Sequence, residues 1–496
     1  MLLLGIDIGS SSVKVSVIDG ATGQLLGSAS SPEIEMSITA EQPGWAEQHP
    51  GLWWENLCNA SRKLTTFLGA KTADIGAIGI SYQMHGLVTL DRQGRVLRSS
   101  IIWCDSRAVP YGDAAFEALG EAYCLNHLLN SPGNFTAAKL AWVKKNERSI
   151  FEKIHKAMLP GDFIAYRLTD EMTTTLSGLS EGIFVDFQEN DISRSVLKTF
   201  DFSKSMLPKV LPTFGVSGNL TKSAAYELGL PAGIPVTYRA GDQPNNAFSL
   251  NVLEPGEVAA TAGTSGVVYG VNDRAVADPK SRVNIFAHVN HHAENPRLGV
   301  LLCVNGCGIL YSWLRRITGS DSYVALNQLA EKTPIGADNL QILPFGNGAE
   351  RLLENRDIGA SFHGLQLNRH EQGHLVRAAQ EGIAFSLYYG LDVMQQMGVQ
   401  INKIRAGQAN LFLSGLFREA LSSISGSTIE LYNTDGAQGA ARAAGLGAGW
   451  YKSPKEAFIG LSTLETIEPK KKKSAAYQDA YAKWKGRLED ALSQQS

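Results

Sequence analysis

The sequence predicts an α/β protein of two related domains that meet across a cleft. Two observations lead there. Residues 6–19, Ile-Asp-Ile-Gly-Ser-Ser-Ser-Val-Lys-Val-Ser-Val-Ile-Asp, return in altered form at residues 260–273, Ala-Thr-Ala-Gly-Thr-Ser-Gly-Val-Val-Tyr-Gly-Val-Asn-Asp. The chain also has 496 residues, too many for one ordinary core and enough for two of about 250 each.

Each copy is an apolar β-rich run, a tight turn of glycine and hydroxyl residues, and a second β-rich run, the pattern of a hairpin. Laid on each other, Gly9 meets Gly263, Ser10 meets Thr264, Ser11 meets Ser265, Val13 meets Val267 and Asp19 meets Asp273. Such a turn aims backbone N–H groups and hydroxyls at one point, where a phosphate oxygen can sit. Two of them, one per half, point to a nucleotide gripped between the domains. The first copy carries Asp7 where the second has neutral Thr261. One carboxylate beside a polyphosphate can hold a magnesium ion or its waters, and a second would add repulsion. Asp7 is therefore the metal candidate.

In chain order, the first domain opens with a meander of strands at 2–8, 13–18 and 24–30, the last two joined by the turn Asp19-Gly20-Ala21-Thr22-Gly23. A helix is expected over 50–68 with Trp53 and Trp54 partly buried. A β-branched run at 75–81 ends in Tyr82-Gln83-Met84-His85-Gly86, and a strand at 101–103 ends in Cys104-Asp105-Ser106-Arg107. Ligands of open α/β sheets collect at the carboxyl ends of strands, so both ends are places to look for chemistry. Residues 110–210 read as helix-rich, with helices at 137–146 and 153–168, and form a cap on the substrate side. A strand at 236–240 then leads into Gly241-Asp242-Gln243, and a small helix at 245–250 with the turn Glu254-Pro255-Gly256-Glu257 delivers the chain to the second hairpin. The hinge falls near 245–256, which divides the chain into 1–245 and 246–496. A long helix at 369–397, the segment Ile404-Arg405-Ala406-Gly407-Gln408-Ala409-Asn410, a closely packed Gly/Ala helix at 436–449 and a terminal amphipathic helix behind the lysines 470–473 complete the second domain.

The net charge of −3 offers no general attraction to nucleic acid or to an anionic membrane. The start, Met-Leu-Leu-Leu-Gly-Ile-Asp, lacks a basic region and reads as a strand, not a signal peptide, and no apolar run reaches the length of a membrane span, so a cytoplasmic location is expected. Five scattered cysteines, Cys58, Cys104, Cys124, Cys303 and Cys307, form no disulfide framework, and Cys303 with Cys307 lacks the second pair of a zinc site. The cluster His288, His291 and His292 reads as a metal site or as a polar loop between strand-like runs at 283–289 and 298–304.

Asp242 is the candidate catalytic base. It follows a strand just before the hinge, where both halves can approach it, and a hydroxyl attacking a γ-phosphoryl group needs an acceptor for its proton. The competing reading is that Asp242 caps the helix that follows, since Asp is a good N-cap.

The order of these motifs resembles the FGGY carbohydrate kinases. Asp7-x-Gly9-Ser10, Gly44-Trp45-Ala46-Glu47-Gln48, Gln83-Met84-His85-Gly86, Trp103-Cys104-Asp105-Ser106-Arg107, Gly241-Asp242-Gln243 and Gly263-Thr264-Ser265-Gly266 carry the resemblance, and it covers all but about the last thirty residues. Within that family the chain is most similar to the xylulokinases. The resemblance implies two actin-like (ribonuclease H-like) ATPase domains with the active site in the cleft between them. It implies ATP and Mg2+ as the nucleotide and metal, with Asp7 and Asp242 as catalytic residues and Asp7 on the metal. Met84, His85, Trp103, Asp105, Arg107, Asp242 and Gln243 fall on the substrate pocket, where His85 would hydrogen-bond a sugar hydroxyl. Gly9, Ser10, Ser11, Ser12, Lys14, Gly263, Thr264, Ser265, Gly306, Gly407, Gln408, Ala409 and Asn410 fall on the nucleotide side.

The implied reaction is phosphorylation of a primary hydroxyl of a small sugar, D-xylulose to D-xylulose 5-phosphate first, with ribulose, gluconate, erythritol or glycerol as alternatives. The partners are the sugar and ATP, with no nucleic acid or membrane, and a homodimer is left open. Cys104 stands where xylulokinases have Asn, which leaves the sugar open. The run 406–410 is less glycine-rich than theirs, which leaves the nucleotide preference open. A nucleotide-dependent scaffold would need no sugar pocket, and a sensor without catalysis would not need both Asp7 and Asp242.

Overall fold

The computed structural model describes residues 1–494; the last two residues of the second half lie outside them. Its first large sheet has the strand order Phe214–Asn219, Pro235–Gly241, Ile75–Tyr82, Leu2–Ile8, Val13–Asp19 and Leu25–Ser31. Leu2–Ile8 runs antiparallel to Val13–Asp19 and parallel to Ile75–Tyr82, which runs parallel to Pro235–Gly241. Central parallel strands are covered on both faces and so read as continuous apolar runs. Leu2, Leu3, Leu4, Ile6 and Ile8 are accordingly all buried.

The second sheet repeats the scheme. Glu257–Ala262 pairs antiparallel with Gly266–Asn272 and parallel with Lys403–Gly407, which pairs parallel with Thr428–Tyr432 and through it with the antiparallel strand Thr463–Ile467. Leu298–Val304 follows on the other side, and one more strand, Asn284–Ala287, is added at that edge. The duplication legible at the two hairpins thus extends through six strands of each half, with the same order and directions.

Two helices bring the halves together. Asp242–Ser249 follows Pro235–Gly241, and Gly436–Gly447 follows Thr428–Tyr432, so they are counterparts, and they pack on each other. Gly436–Gly447 lies on the first sheet although it comes from the second half. Its small residues allow this: a Cβ on Gly79 would come within 2.0 Å of the Ala440 carbonyl oxygen. One buried cluster then spans both halves, joining Met84, Leu87 and Phe184 to Ala259, Tyr269 and Phe286.

Several elements differ from expectation. Residues 153–168 do not form one helix: Lys156–Met158 is a strand, and the helix Pro160–Thr169 starts at its proline, whose missing N–H and fixed φ suit the first turn. The strand at 101–103 shrinks to Ser100–Ile101, and Trp103 sits in a turn with 40% of its surface exposed. The small helix at 245–250 begins earlier, at Asp242. Helix Pro50–Leu68 keeps its expected bounds, but Trp53 and Trp54 are fully, not partly, buried, on one stripe with Leu57, Ala60 and Leu64. His288 is buried, with Nδ1 at 3.0 Å from the Tyr269 hydroxyl and Nε2 at 3.1 Å from the Val252 carbonyl, and His291 Nε2 reaches Asn190 at 3.0 Å. The polar-loop reading accounts for these two imidazoles.

Candidate active site

Three carboxylates from three strand ends converge where the halves meet. Asp7 lies near the end of Leu2–Ile8, in register with Lys14 on one neighbour and Ser81 on the other. Burial, and Asp435 nearby, raise its pKa above the usual carboxylate value, against the opposing effects of Ser81 and Lys14. Gly436 makes room for it, since a Cβ there would stand 2.4 Å from Asp7 Oδ2. Asp435 caps the helix Gly436–Gly447 by accepting the Gln438 N–H at 2.9 Å, and it takes an ion pair from Lys14 Nζ at 2.7 Å. Asp435 went unnoticed in the sequence, although an Asp just before a Gly/Ala helix is itself a cap signal.

Asp242 is the first residue of its helix, and Gly241 is the N-cap. The competing cap reading is off by one residue: Gly241 is the cap, and the Asp242 carboxylate stands in the first turn, where the helix dipole favours a negative charge. Burial raises its pKa to about 7, and Asp7 adds to the rise, while hydrogen bonds from Gln243 oppose it. A carboxyl poised there can take a proton at neutral pH.

His85 closes the far side. It adopts a left-handed backbone, φ 60°, a conformation unusual for a side chain with a Cβ. Two hydrogen bonds and two ring contacts hold it there. Lys139 Nζ donates to the His85 carbonyl at 2.9 Å, His85 Nδ1 bonds the Glu181 carbonyl at 2.9 Å, and the ring packs 4.8 Å from Phe135 and 5.3 Å from Phe286. Because a carbonyl only accepts, the proton is on Nδ1. Burial and Lys139 lower the pKa to about 3, so the imidazole is neutral and Nε2 is an acceptor. Lys139 is fully buried, and burial lowers its own pKa to about 7. Lys139 and Glu181 were also missed. One is a lysine among the buried residues at the start of the helix Thr136–Asn146 and the other a lone acid in a run of small residues, and neither pattern carries a signal of its own.

The segment 103–107 is built as a strut. Asp105 accepts from Ala46 N–H at 2.6 Å and from Arg107 Nη2 at 2.7 Å; Arg107 Nη1 reaches Glu47 at 2.6 Å, and the guanidinium stacks 3.7 Å from the Trp45 ring. Glu47 also holds Arg98. Asp105 and Arg107 are thus engaged with each other and with 45–47, and it is Trp103 that faces out. Its indole N–H lies 3.3 Å from the Ser10 hydroxyl, while Gln48 Nε2 donates to the Ser10 carbonyl at 2.7 Å. The strut and the first hydroxyl turn are tied together.

That turn, Gly9 to Ser12, closes through Gly9 N–H to Ser12 O at 3.0 Å. The second, Gly263 to Ser265, rests on the helix Cys307–Ile317: Gly308 N–H donates to Gly263 O at 2.9 Å, and Gly306, with φ 85°, caps that helix. A Cβ on Gly308 would meet Gly263 O at 2.4 Å, and one on Gly263 would meet the Asn410 amide at 3.1 Å. Gly407 ends its strand, Gln408 N–H donates to Tyr432 O at 3.0 Å, and Ala409 leads into Asn410. The second turn, Gly306 and Asn410 are therefore neighbours.

Family models bear on this arrangement directly. The N-terminal domain model of the FGGY family of carbohydrate kinases matches residues 2–249, and the C-terminal domain model matches 258–448. The chain belongs to that family. A curated xylulose kinase from Escherichia coli is 29% identical over 486 residues, 96% of each chain. The crystal structure of a xyloylose kinase from Brucella ovis superposes with a TM-score of 0.90 at 28% identity, covering 100% of both chains. A gluconate kinase from Lactobacillus acidophilus shares the fold, with a TM-score of 0.90 at 21% identity over 99% of this chain and 98% of its own. The family protein described here is a carbohydrate kinase, a phosphotransferase with an alcohol group as acceptor, and ATP is the phosphoryl donor of that class. No helix among the described residues is long and apolar enough to cross a membrane.

Proposed function

We propose that this carbohydrate kinase transfers the γ-phosphoryl group of ATP to the primary hydroxyl of an open-chain ketose, D-xylulose first, giving D-xylulose 5-phosphate. The observation that carries the reading is that Glu181 holds His85, a neutral imidazole fixed as an acceptor, and lies against Gly241, the residue before Asp242, a half-buried carboxyl with a pKa near 7. The xylulose kinases among its relatives support the choice of sugar.

In this reading the domain 1–245 supplies the sugar pocket and the base, and 246–496 supplies the nucleotide side. Nε2 of His85 accepts from a sugar hydroxyl, Met84 and the exposed face of Trp103 line the pocket, and the strut of Asp105 and Arg107 holds its wall. Asp242 accepts the proton of the attacking hydroxyl as the oxygen reaches phosphorus. Backbone N–H groups and hydroxyls of the two turns, with Lys14, hold phosphate oxygens, and Gly306 with Gly407 to Asn410 flank the rest of the nucleotide. Closure of the two halves on the bound ligands would exclude water that otherwise competes as acceptor.

Magnesium fits the residues present. Asp7 is a hard oxygen donor held among like charges, and Asp435 stands close enough to raise its pKa. Among the described residues no three acidic, histidine or cysteine side chains form a ready cage. Magnesium is commonly held by one or two carboxylates plus phosphates and waters, so Asp7 is enough to anchor it. When bound, the ion supplies charge neutralisation on the β- and γ-phosphates.

The test is ADP release, coupled to a detector, over a panel of ketoses, polyols and sugar acids. D-Xylulose should give the highest kcat/KM. A sugar acid or a polyol ahead of every ketose would overturn the substrate assignment.

A further inference from the structure

The strand Asn284–Ala287 is the free edge of the second sheet and has no counterpart in the six-strand order of the first. An open edge presents unpaired N–H and C=O groups and must be covered. Here side chains of the other half cover it. Asn130 Oδ1 accepts the Ile285 N–H at 2.9 Å, and its Nδ2 donates back to the Ile285 carbonyl. Two residues on, Ser177 Oγ donates to the Ala287 carbonyl at 2.8 Å, and Ser180 Oγ accepts the Ala287 N–H at 2.9 Å. Residues 285 and 287 thus exchange two bonds each, as they would with a neighbouring strand. Asn130, Ser177 and Ser180 are all buried.

The clasp leads straight to the site. Both serines sit on the short helix Leu176–Glu181, and its last residue holds His85 through the carbonyl bond to Nδ1. The buried Glu181 carboxyl lies against Gly241, the residue before Asp242: a Cβ at 241 would come within 2.9 Å of Glu181 Oε2. Phe286, between the two clasped residues, packs on the His85 ring. On the other side, Asn284–Ala287 is joined through Leu298–Val304 to Gly266–Asn272, the second strand of the phosphate-turn hairpin.

We propose that Asn130, Ser177 and Ser180 are positioning residues for phosphoryl transfer, which hold the sugar-reading His85 and the base Asp242 of one half in register with the phosphate-binding hairpin of the other. The proposal rests on the roles given above to His85 and Asp242. A misplacement of about 1 Å between reacting groups can cost on the order of 100-fold in rate, and the two serines of the clasp give a direct hydrogen-bonded path from the second sheet to the helix that touches His85 and the residue before Asp242.

Full-length wild type, Ser177→Ala/Ser180→Ala, Ser180→Ala and Ser180→Thr are compared for kcat and KM with the best sugar of the panel, for ATP hydrolysis without sugar, and for Tm. The double variant should lose about tenfold or more in kcat/KM, mostly in kcat, while sugar-free hydrolysis stays within about twofold. Ser180→Thr, which keeps the hydroxyl, should recover most of the loss seen in Ser180→Ala. Should the double variant fail to fold, Asn130→Asp, which keeps the acceptor and loses the donor, carries the same expectation. A kcat/KM within twofold of wild type, or a parallel fall of both activities in folded protein, would overturn the proposal. A wild type inactive on every sugar would instead overturn the functional reading on which it rests.

Discussion

Asp242 is useful as a base only while it is ionised, and its surroundings work against the charge. Burial and Asp7 hold its pKa near 7, so the ionised fraction rises as pH passes through that value. In the free enzyme kcat/KM for the sugar should therefore climb between about pH 6 and pH 8 and flatten above. A pH profile with no ascending limb in that window would mean that another group limits the reaction. His85 makes a different contribution. With its Nδ1 proton committed to the Glu181 carbonyl and no positive charge, Nε2 can only accept; in the proposed sugar-binding role, deleting a hydrogen bond of this kind costs roughly 1–3 kcal/mol. His85→Ala should lower kcat/KM by about 5- to 150-fold for ketoses that present the matching hydroxyl, and less for epimers that do not. A uniform loss across all sugars would make His85 a structural residue. The sequence pointed to both Asp242 and His85 because each follows a strand end, and for His85 because the motif Gln83-Met84-His85-Gly86 resembles that of the family. It did not point to Asp435, Lys139 and Glu181, because their importance comes from residues that the fold brings to them from far along the chain.

Glycine marks the places where elements approach too closely for a side chain. Gly436 borders Asp7, so Gly436→Ala should displace the carboxylate and weaken magnesium-dependent catalysis more than sugar binding. Titrating magnesium in this variant checks it: a raised sugar KM with unchanged magnesium dependence would remove Asp7 from the metal. Gly79 faces the backbone of the helix Gly436–Gly447 and bears no chemistry. Gly79→Ala should destabilise by about 1–3 kcal/mol through overpacking, read as a lowered midpoint in urea, and an unshifted midpoint would show that the helix can move aside freely. The strands at 2–8, 13–18 and 75–81 and the helices at 50–68 and 369–397 were read to within a few residues from apolar periodicity, which sheet pleat and helix pitch impose directly. The helix expected over 153–168 failed because a proline can open a helix as well as break one, and 156–158 is too short a run to announce a strand. The early start at Asp242 was hidden because Gly241 carries no side-chain cap to signal it.

The whole molecule is a duplicated sheet with one exchange: a helix from the second half covers the first sheet and carries Asp435 to Asp7 and Lys14. The repeated hairpin revealed the duplication, but nothing local in residues 436–449 says which sheet the helix will choose, since small residues permit close packing on either. The fold also does not decide the sugar, because a gluconate kinase shares it with a TM-score of 0.90. The account stands most directly on phosphoryl transfer through Asp242, and the decisive measurement is the rate of ADP and sugar-phosphate formation by wild type and Asp242→Asn, with binding of ATP and D-xylulose measured in parallel. Wild type should form one ADP per D-xylulose 5-phosphate, and the variant should bind both ligands while turning over on the order of 10² to 10⁴ times more slowly; a variant that keeps more than about a tenth of wild-type turnover would contradict the assignment of Asp242 as the base.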